Sequence, residues 1–249
     1  MDHRSLDRKA ISKSSNASQS SLSVTDSSFS WHSSTVVVGG GDQRSQSQQM
    51  ICIDLKHSLS NTLPSGYSRR RPHAFALQQA DGGVYVFSVG SDEQVAAWTS
   101  TLNYWAARES KEPLIGGVGN MEFGWGECLQ DVIGTPDRYK IRPGAKSVNI
   151  SEWRPPVPPG MNSNLSETEQ YANLQRHIDS LNKDLDGHRE IKAKMSKRFL
   201  PRTTAYIKAL SNWEAKQQYL LHEIIKYQNY CDAIEKALAL QAEAQLTAK

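Results

Sequence analysis

Three consecutive arginines, Arg69, Arg70 and Arg71, follow Tyr67 and come shortly after Lys56 and His57. A planar guanidinium pairs bidentately with phosphate, so several cations together suit phosphoinositide head groups. Near an anionic leaflet each basic residue contributes about 1 kcal/mol. Lys56, Arg69, Arg70 and Arg71 are therefore the candidate lipid-binding set; the alternative is a solvated loop. A second cluster holds Arg189, Lys192, Lys194, Lys197, Arg198 and Arg202 with one acid, Glu190, among them. Phe199 and Leu200 sit inside it. Cations mixed with apolar side chains suit a membrane or an acidic partner, with a solvated helix end as the alternative.

Other chemistries find no support. The glycines at 116–126 lack the Lys-Ser/Thr of a phosphate-binding loop and the spacing of a dinucleotide fingerprint. No nucleophile–base pattern and no metal-ligand spacing occurs, so neither a metal nor a cofactor is expected. Cys52, Cys128 and Cys231 lie far apart in unlike contexts, which is no disulfide framework and points to a reducing cytosol. The net charge of +3 is too small to imply nucleic acid. No apolar run approaches the roughly 18–20 residues that span a bilayer, and the N-terminus lacks the apolar stretch of a secretory signal. Membrane contact is expected to be peripheral.

The elements that would position these clusters can be read in order. Residues 1–48 are rich in serine and poor in large apolar side chains, so they cannot offset chain entropy and are expected to be disordered. Either a phosphorylation-prone regulatory region or an inert linker fits them. A short strand is possible at 34–41. "MICIDL" at 50–55 reads as a buried strand, and "SLSNTLPSGYSRRRP" as a loop. "HAFALQQ" and "VYVFSV" flank Asp81-Gly82-Gly83, the chemistry of a hairpin turn. Phe75, Leu77, Tyr85 and Phe87 are the expected core of that hairpin. Ser91 then caps a helix with Gln94 in capping-box position, and Val95, Trp98, Leu102 and Trp105 form its apolar stripe.

Between 106 and 165 periodicity fails. Extended chain is expected there, anchored by Met121, Phe123 and Trp125, with a short strand in "SVNISEW". "SETE" at 166–169 is a capping box. Tyr171, Leu174, Ile178, Leu181, Leu185 and His188 follow in alternating steps of three and four. Pro201 breaks the run. Tyr206, Leu210, Trp213, Gln217, Leu220, Ile224, Tyr227, Cys231, Ile234 and Leu238 then resume it. Two heptad seams with a break between them predict an antiparallel helical hairpin. The seam alone does not separate that from a dimer, so the oligomeric state stays open.

Strand, hairpin and a capped helix with a central Trp resembles the back half of a pleckstrin-homology domain. Residues Tyr67, Arg69–Arg71, His73, Phe75, Leu77, Tyr85, Phe87, Trp98 and Asn103 resemble the version found in PSD-type (pleckstrin and Sec-seven domain) exchange factors for Arf GTPases. Those proteins also continue into a Pro-bearing linker and a coiled-coil tail. "GVGNMEFGWGECL" is similar to fungal members. The resemblance implies an α+β fold: an incomplete pleckstrin-homology-like antiparallel sheet with a capping C-terminal helix, then a long antiparallel helical hairpin or coiled coil, after a disordered N-terminus. The implied divisions are 1–48, 49–108, 109–165 and 166–249. Trp98 takes the role of the tryptophan that plugs the barrel, with Leu102 beside it.

Two departures shape the functional expectation. No catalytic exchange domain is recognisable, so the chain is expected not to be an enzyme. The first three strands are missing, and with them the loop that carries the family's inositol-phosphate motif. Either Met1 falls within an insertion of a longer protein or the domain is degenerate. Four strands and one helix cannot close a barrel, so apolar surface is expected to be exposed unless the linker or the helical hairpin covers it. The expected function is a non-catalytic membrane-targeting and regulatory module of an Arf exchange factor, cytoplasmic and peripheral at the plasma membrane or an endomembrane. It would bind phosphoinositide membranes and, through the hairpin, protein partners. The alternative is a protein-interaction scaffold in which the domain remnant only packs.

Overall fold

The computed structural model describes residues 35–38, 51–64, 67, 69, 71–112, 121–130 and 148–247. Of the expected disordered segment, 1–48, all but 35–38 lies outside these residues, as does Arg70. Strand β1 (Thr35–Val38) pairs antiparallel with β2 (Ile51–Asp54), so the short strand near 34–41 forms. Strands β3 (Leu59–Thr62), β4 (Ala74–Gln78) and β5 (Val84–Ser88) make a separate antiparallel sheet in that order.

Strand β3 falls inside the stretch read as a loop. Leu59 is its one large apolar side chain, so no apolar alternation marks it. It is a strand because both of its edges have partners. On one side Ser60 pairs with Leu77 of β4. On the other, the Asn103 side chain accepts from Ser60 N at 2.8 Å and donates to Ser60 O at 2.9 Å, standing in for a neighbouring strand. The β4–β5 turn is as expected. Gly82 has φ 88°, and Asp81 Oδ1 accepts from Gly83 N at 2.8 Å. Phe75 and Leu77 are buried, and Phe87 stacks on Phe75 at 5.1 Å. Tyr85 corrects the expected core: it is 37% exposed, because β5 is an edge strand and Tyr85 lies next to its turn.

Helix α1 (Asp92–Glu109) starts where the cap predicted. The Ser91 side chain accepts from Gln94 N, and Gln94 Oε1 accepts from Gly90 N rather than from Ser91 N. Val95 and Leu102 are buried, and Trp98 is half-buried against the same core. A single helical turn, α2 (Glu127–Gln130), interrupts the linker, and Trp125 packs edge-on to His188 at 5.4 Å. Phe123 is half-buried, whereas Met121 is 65% exposed and anchors nothing. The described part of "SVNISEW", residues 148–153, forms no strand: Ile150 is buried against the helices, and Trp153 N donates to Asn212 Oδ1 instead of to a ladder.

Helices α3 (Glu167–Arg198) and α4 (Thr204–Thr247) form the antiparallel hairpin. The capping box at Ser166 is complete, and the helix ends at Phe199 ahead of Pro201. Contacts fix the pairing: Gln241 reaches Glu167, Tyr227 meets His177, Lys216 meets Asp184, and His188 meets Trp213. The last pair exchanges two bonds, His188 Nε2 to Trp213 O at 2.9 Å and Trp213 Nε1 to His188 O at 2.8 Å. That locks the register. The predicted seam residues Leu174, Leu181, Leu185, Leu220, Ile224, Tyr227, Cys231 and Ile234 are all buried.

The hairpin does not stand apart from the sheet. α1 packs along α4, and one apolar core joins Ile53, Leu55, Phe75 and Leu77 of the sheet region to α1, α3 and α4. The hairpin therefore covers surface that the sheet and α1 would otherwise expose.

Candidate functional site

The sheet register decides how the first basic cluster is arranged. β3 runs from the Lys56–His57 turn toward the β3–β4 loop, which carries the arginines. A four-residue strand at 3.2–3.4 Å per residue separates the two ends by roughly 10–13 Å. Lys56 is at the α1 C-terminal end: its ammonium lies 3.6 Å from Asp54 and donates to Gly160 O at 3.1 Å. Arg69 is exposed and Arg71 half-buried at the other end, beside exposed Tyr67. There His73 Nδ1 meets Asp92 at 2.7 Å and fixes the strand to the start of α1. The structure thus groups Arg69 and Arg71 and leaves Lys56 elsewhere, holding the linker.

The second cluster lies around the hairpin tip, but its members differ. Arg189 pairs with Asp186 at 3.2 Å. Lys192 lies 4.5 Å from the centre of the Trp213 ring, and Arg198 Nε donates to Cys128 O at 3.0 Å. Lys197 and Arg202 are exposed, and Lys194 is half-buried. Phe199, expected among the surface groups, is buried with Met195, Ala209 and Trp213. It closes a small tip core, leaving Leu200 as the apolar group outside.

Between these ends lies a polar seam that sequence reading missed. Ala209, Asn212, Tyr219, Glu223, Lys226, Tyr230 and Ala233 occupy a second stripe of α4, one residue ahead of the apolar seam. Asn212 donates to Phe123 O and Ser151 O at 2.9 and 2.7 Å and accepts from Trp153 N at 2.9 Å. Gly124 packs so closely that a Cβ there would lie 2.4 Å from Ala209 Cβ, and its φ of 98° also requires glycine. Tyr230 O–H donates to Ser58 O. His57 N donates to Ser110 Oγ at 2.7 Å, and His57 Nε2 donates to Pro159 O at 3.0 Å. On α3, Gln170 Nε2 donates to Ala107 O and Ser110 O at 2.8 and 2.9 Å. Turn, linker, α1 and both long helices meet at this point.

The buried ion pair of the seam is Lys226 Nζ to Glu223 Oε1 at 2.6 Å. Burial pulls Lys226 below its ordinary pKa, and Glu223 offsets this in part. Burial pushes Glu223 upward, but hydrogen bonds from His222 and Lys226 and the Lys226 charge outweigh it and leave the carboxyl below its usual range. The two residues border a cleft of about 420 Å³ walled by Trp153, Tyr219 and the linker prolines. No group of three or more His, Cys, Asp or Glu residues able to hold a metal occurs among the described residues.

The family model for the pleckstrin homology domain matches residues 13–107, which contain both sheets and nearly all of α1. Residues 13–107 are a pleckstrin homology (PH) domain. The chain is 29% identical over 152 residues to a PH and SEC7 domain-containing protein of Schizosaccharomyces pombe, covering 60% of this chain and 16% of that protein. It is 26% identical over 200 residues to the guanine-nucleotide exchange factor YEL1 of Lachancea thermotolerans, covering 72% of this chain and 29% of that one. A meiotically up-regulated gene 79 protein of S. pombe shares 25% identity over 182 residues, 71% of this chain and 14% of that one. The matched region is less than a third of each relative. The chain thus spans only a small part of the length of the relatives it matches. Among the described residues no helix is long and apolar enough to cross a membrane.

Proposed function

We propose that this chain is the PH and helical-hairpin portion of a guanine-nucleotide exchange factor for Arf GTPases, acting as its non-catalytic targeting and regulatory module. Its working surface is a phosphoinositide-bearing membrane on the cytoplasmic side, at the plasma membrane or an endomembrane. Residues 49–108 serve as the membrane-reading part, 109–165 as the linker, and 166–249 as the hairpin that receives protein partners. The observation that carries this reading is the PH match over 13–107 in a chain whose relatives include a named exchange factor. The exposed Arg69 near half-buried Arg71 on the β3–β4 loop supports it, because an exposed guanidinium can pair with phosphate.

A second reading rests on a specific observation. Lys56 is committed to Asp54 and Gly160, and the PH domain is buried against α4, as a purely structural element would be. In that reading the hairpin is a scaffold and the PH domain only packs. Sedimentation of the full chain with vesicles containing phosphatidylinositol bisphosphate separates the two. The targeting module pellets in a salt-sensitive manner, and the triple variant Arg69→Ala, Arg70→Ala, Arg71→Ala loses most of that binding. Equal pelleting of variant and parent would leave the scaffold reading standing.

A further inference from the structure

The turn that joins α3 to α4 is unusual in what it places at its apex. Thr203 N donates to Leu200 O at 3.2 Å, closing a four-residue turn with Pro201 in second position. The third position, Arg202, has φ 68°. Such a position favours glycine or asparagine, and a residue with a longer side chain is strained there. An arginine thus occupies the apex where the backbone alone would select glycine.

Its neighbours are equally out of keeping with a plain solvent-facing turn. Leu200, on the same turn, is 54% exposed, and Ile207, in the first turn of α4, is 59% exposed. Neither belongs to the tip core, which Met195, Phe199, Ala209 and Trp213 fill. Lys197, Arg202 and Lys208 are exposed around them. Among the described residues the acids of the flanking segments are Glu190 on α3, and Glu122 and Glu127 on the linker. Glu122 is occupied by the backbone N–H groups of Gly124 and Cys128 at 3.0 and 3.4 Å. Exposed branched aliphatic side chains framed by unopposed cations match the two halves of a bilayer interface. The acyl boundary takes the apolar groups and anionic head groups take the cations.

We propose that the hairpin tip, Leu200 and Ile207 framed by Lys197, Arg202 and Lys208, inserts into the head-group region of an anionic bilayer. It is a second membrane contact, separate from Arg69–Arg71. The proposal rests on the membrane-module reading and deepens it: two weak contacts on one body raise each other's effective concentration.

The test uses the full chain with phosphatidylcholine vesicles, with phosphatidylserine vesicles, and with phosphatidylinositol bisphosphate vesicles of matched surface charge. The parent should pellet with phosphatidylserine and not with phosphatidylcholine. Leu200→Asp with Ile207→Asp should lower that binding about tenfold or more. Arg202→Gly should lower it about fivefold while melting at the same temperature or higher, since it relieves the turn. A residue kept for structure alone could not give that opposite pair of effects. Binding to phosphatidylserine that these variants leave unchanged overturns the proposal, as does equal binding to phosphatidylcholine. Binding to the phosphoinositide vesicles alone removes the tip contact and leaves the Arg69–Arg71 reading in place. Tip-dependent binding untouched by the triple arginine variant would remove that reading and keep the tip.

Discussion

Helix α4 presents two buried faces that differ by one residue in phase and almost completely in chemistry. Toward α3 it offers Leu220, Ile224, Tyr227, Cys231 and Ile234, an apolar seam with a heptad step. Toward the PH domain and linker it offers Asn212, Glu223, Lys226 and Tyr230, each engaged by a hydrogen bond or an ion pair. The first face can pack on any apolar groove of the right spacing. The second fits only partners that return the right donors and acceptors. One helix thus obtains adhesion from one side and orientation from the other.

The sharpest way to break this contrast is Glu223→Ala, which leaves Lys226 buried without its partner. A loss of about 3–5 kcal/mol is expected in denaturant unfolding. Replacing the pair together, Glu223→Met with Lys226→Leu, should recover most of it, as apolar substitutes for buried ion pairs often do. If the double variant is as unstable as the single one, the polar face is more than a specificity device. On the opposite face, Leu220→Ala should cost about 2–5 kcal/mol with no such rescue by a polar neighbour, measured in the same way.

A smaller effect, and a more local one, is expected from Asn212→Ala. It removes three bonds to the linker and leaves Phe123 O and Ser151 O without their donor. A loss of about 1–3 kcal/mol is expected, together with faster proteolysis within 148–160 and unchanged helical circular dichroism. Cleavage at the parent rate would mean that Trp153 and the prolines hold the linker by themselves.

The smallest effect comes from pH and touches both faces. Burial holds His57, His177 and His188 below their ordinary value of about 6.5. The unfolded chain takes up protons first, so stability is complete above about pH 6.5 and is lost as pH falls through that value toward the folded ones. The melting temperature should drop on that side by about 2–4 °C per kcal/mol lost. His57→Gln should flatten part of the drop, because it removes the proton acceptor on the linker side while His177 and His188 remain on the hairpin side. An undiminished drop would assign it to the hairpin.

The same contrast explains what sequence could convey. The hairpin is legible because apolar spacing records packing directly: every large aliphatic residue read into the seam of α3 and α4 is at least half-buried. The β4–β5 turn and the caps at Ser91 and Ser166 are legible because a few residue types satisfy those backbones. Strand β3 and the polar stripe of α4 are not. Asn212, Glu223 and Lys226 read as solvated positions, since nothing local distinguishes a polar side chain facing water from one facing a buried carbonyl. Arg69, Arg71 and Lys56 read as one cluster because they are close in sequence, and only the direction of β3 separates them. At the tip, charge was visible but exposure was not, so Phe199 was grouped with Leu200 although one is core and the other surface.

The amide of Asn103 has a consequence beyond the domain's own stability. By taking both backbone groups of Ser60, it occupies the place where a strand from another molecule would begin to pair. Among the described residues, intermolecular growth of the β3–β4–β5 sheet is then blocked on the β3 side and confined to β5, whose exposed Val84 and Tyr85 lie on the edge strand. A crowded solution of this chain would be expected to self-associate from that border first.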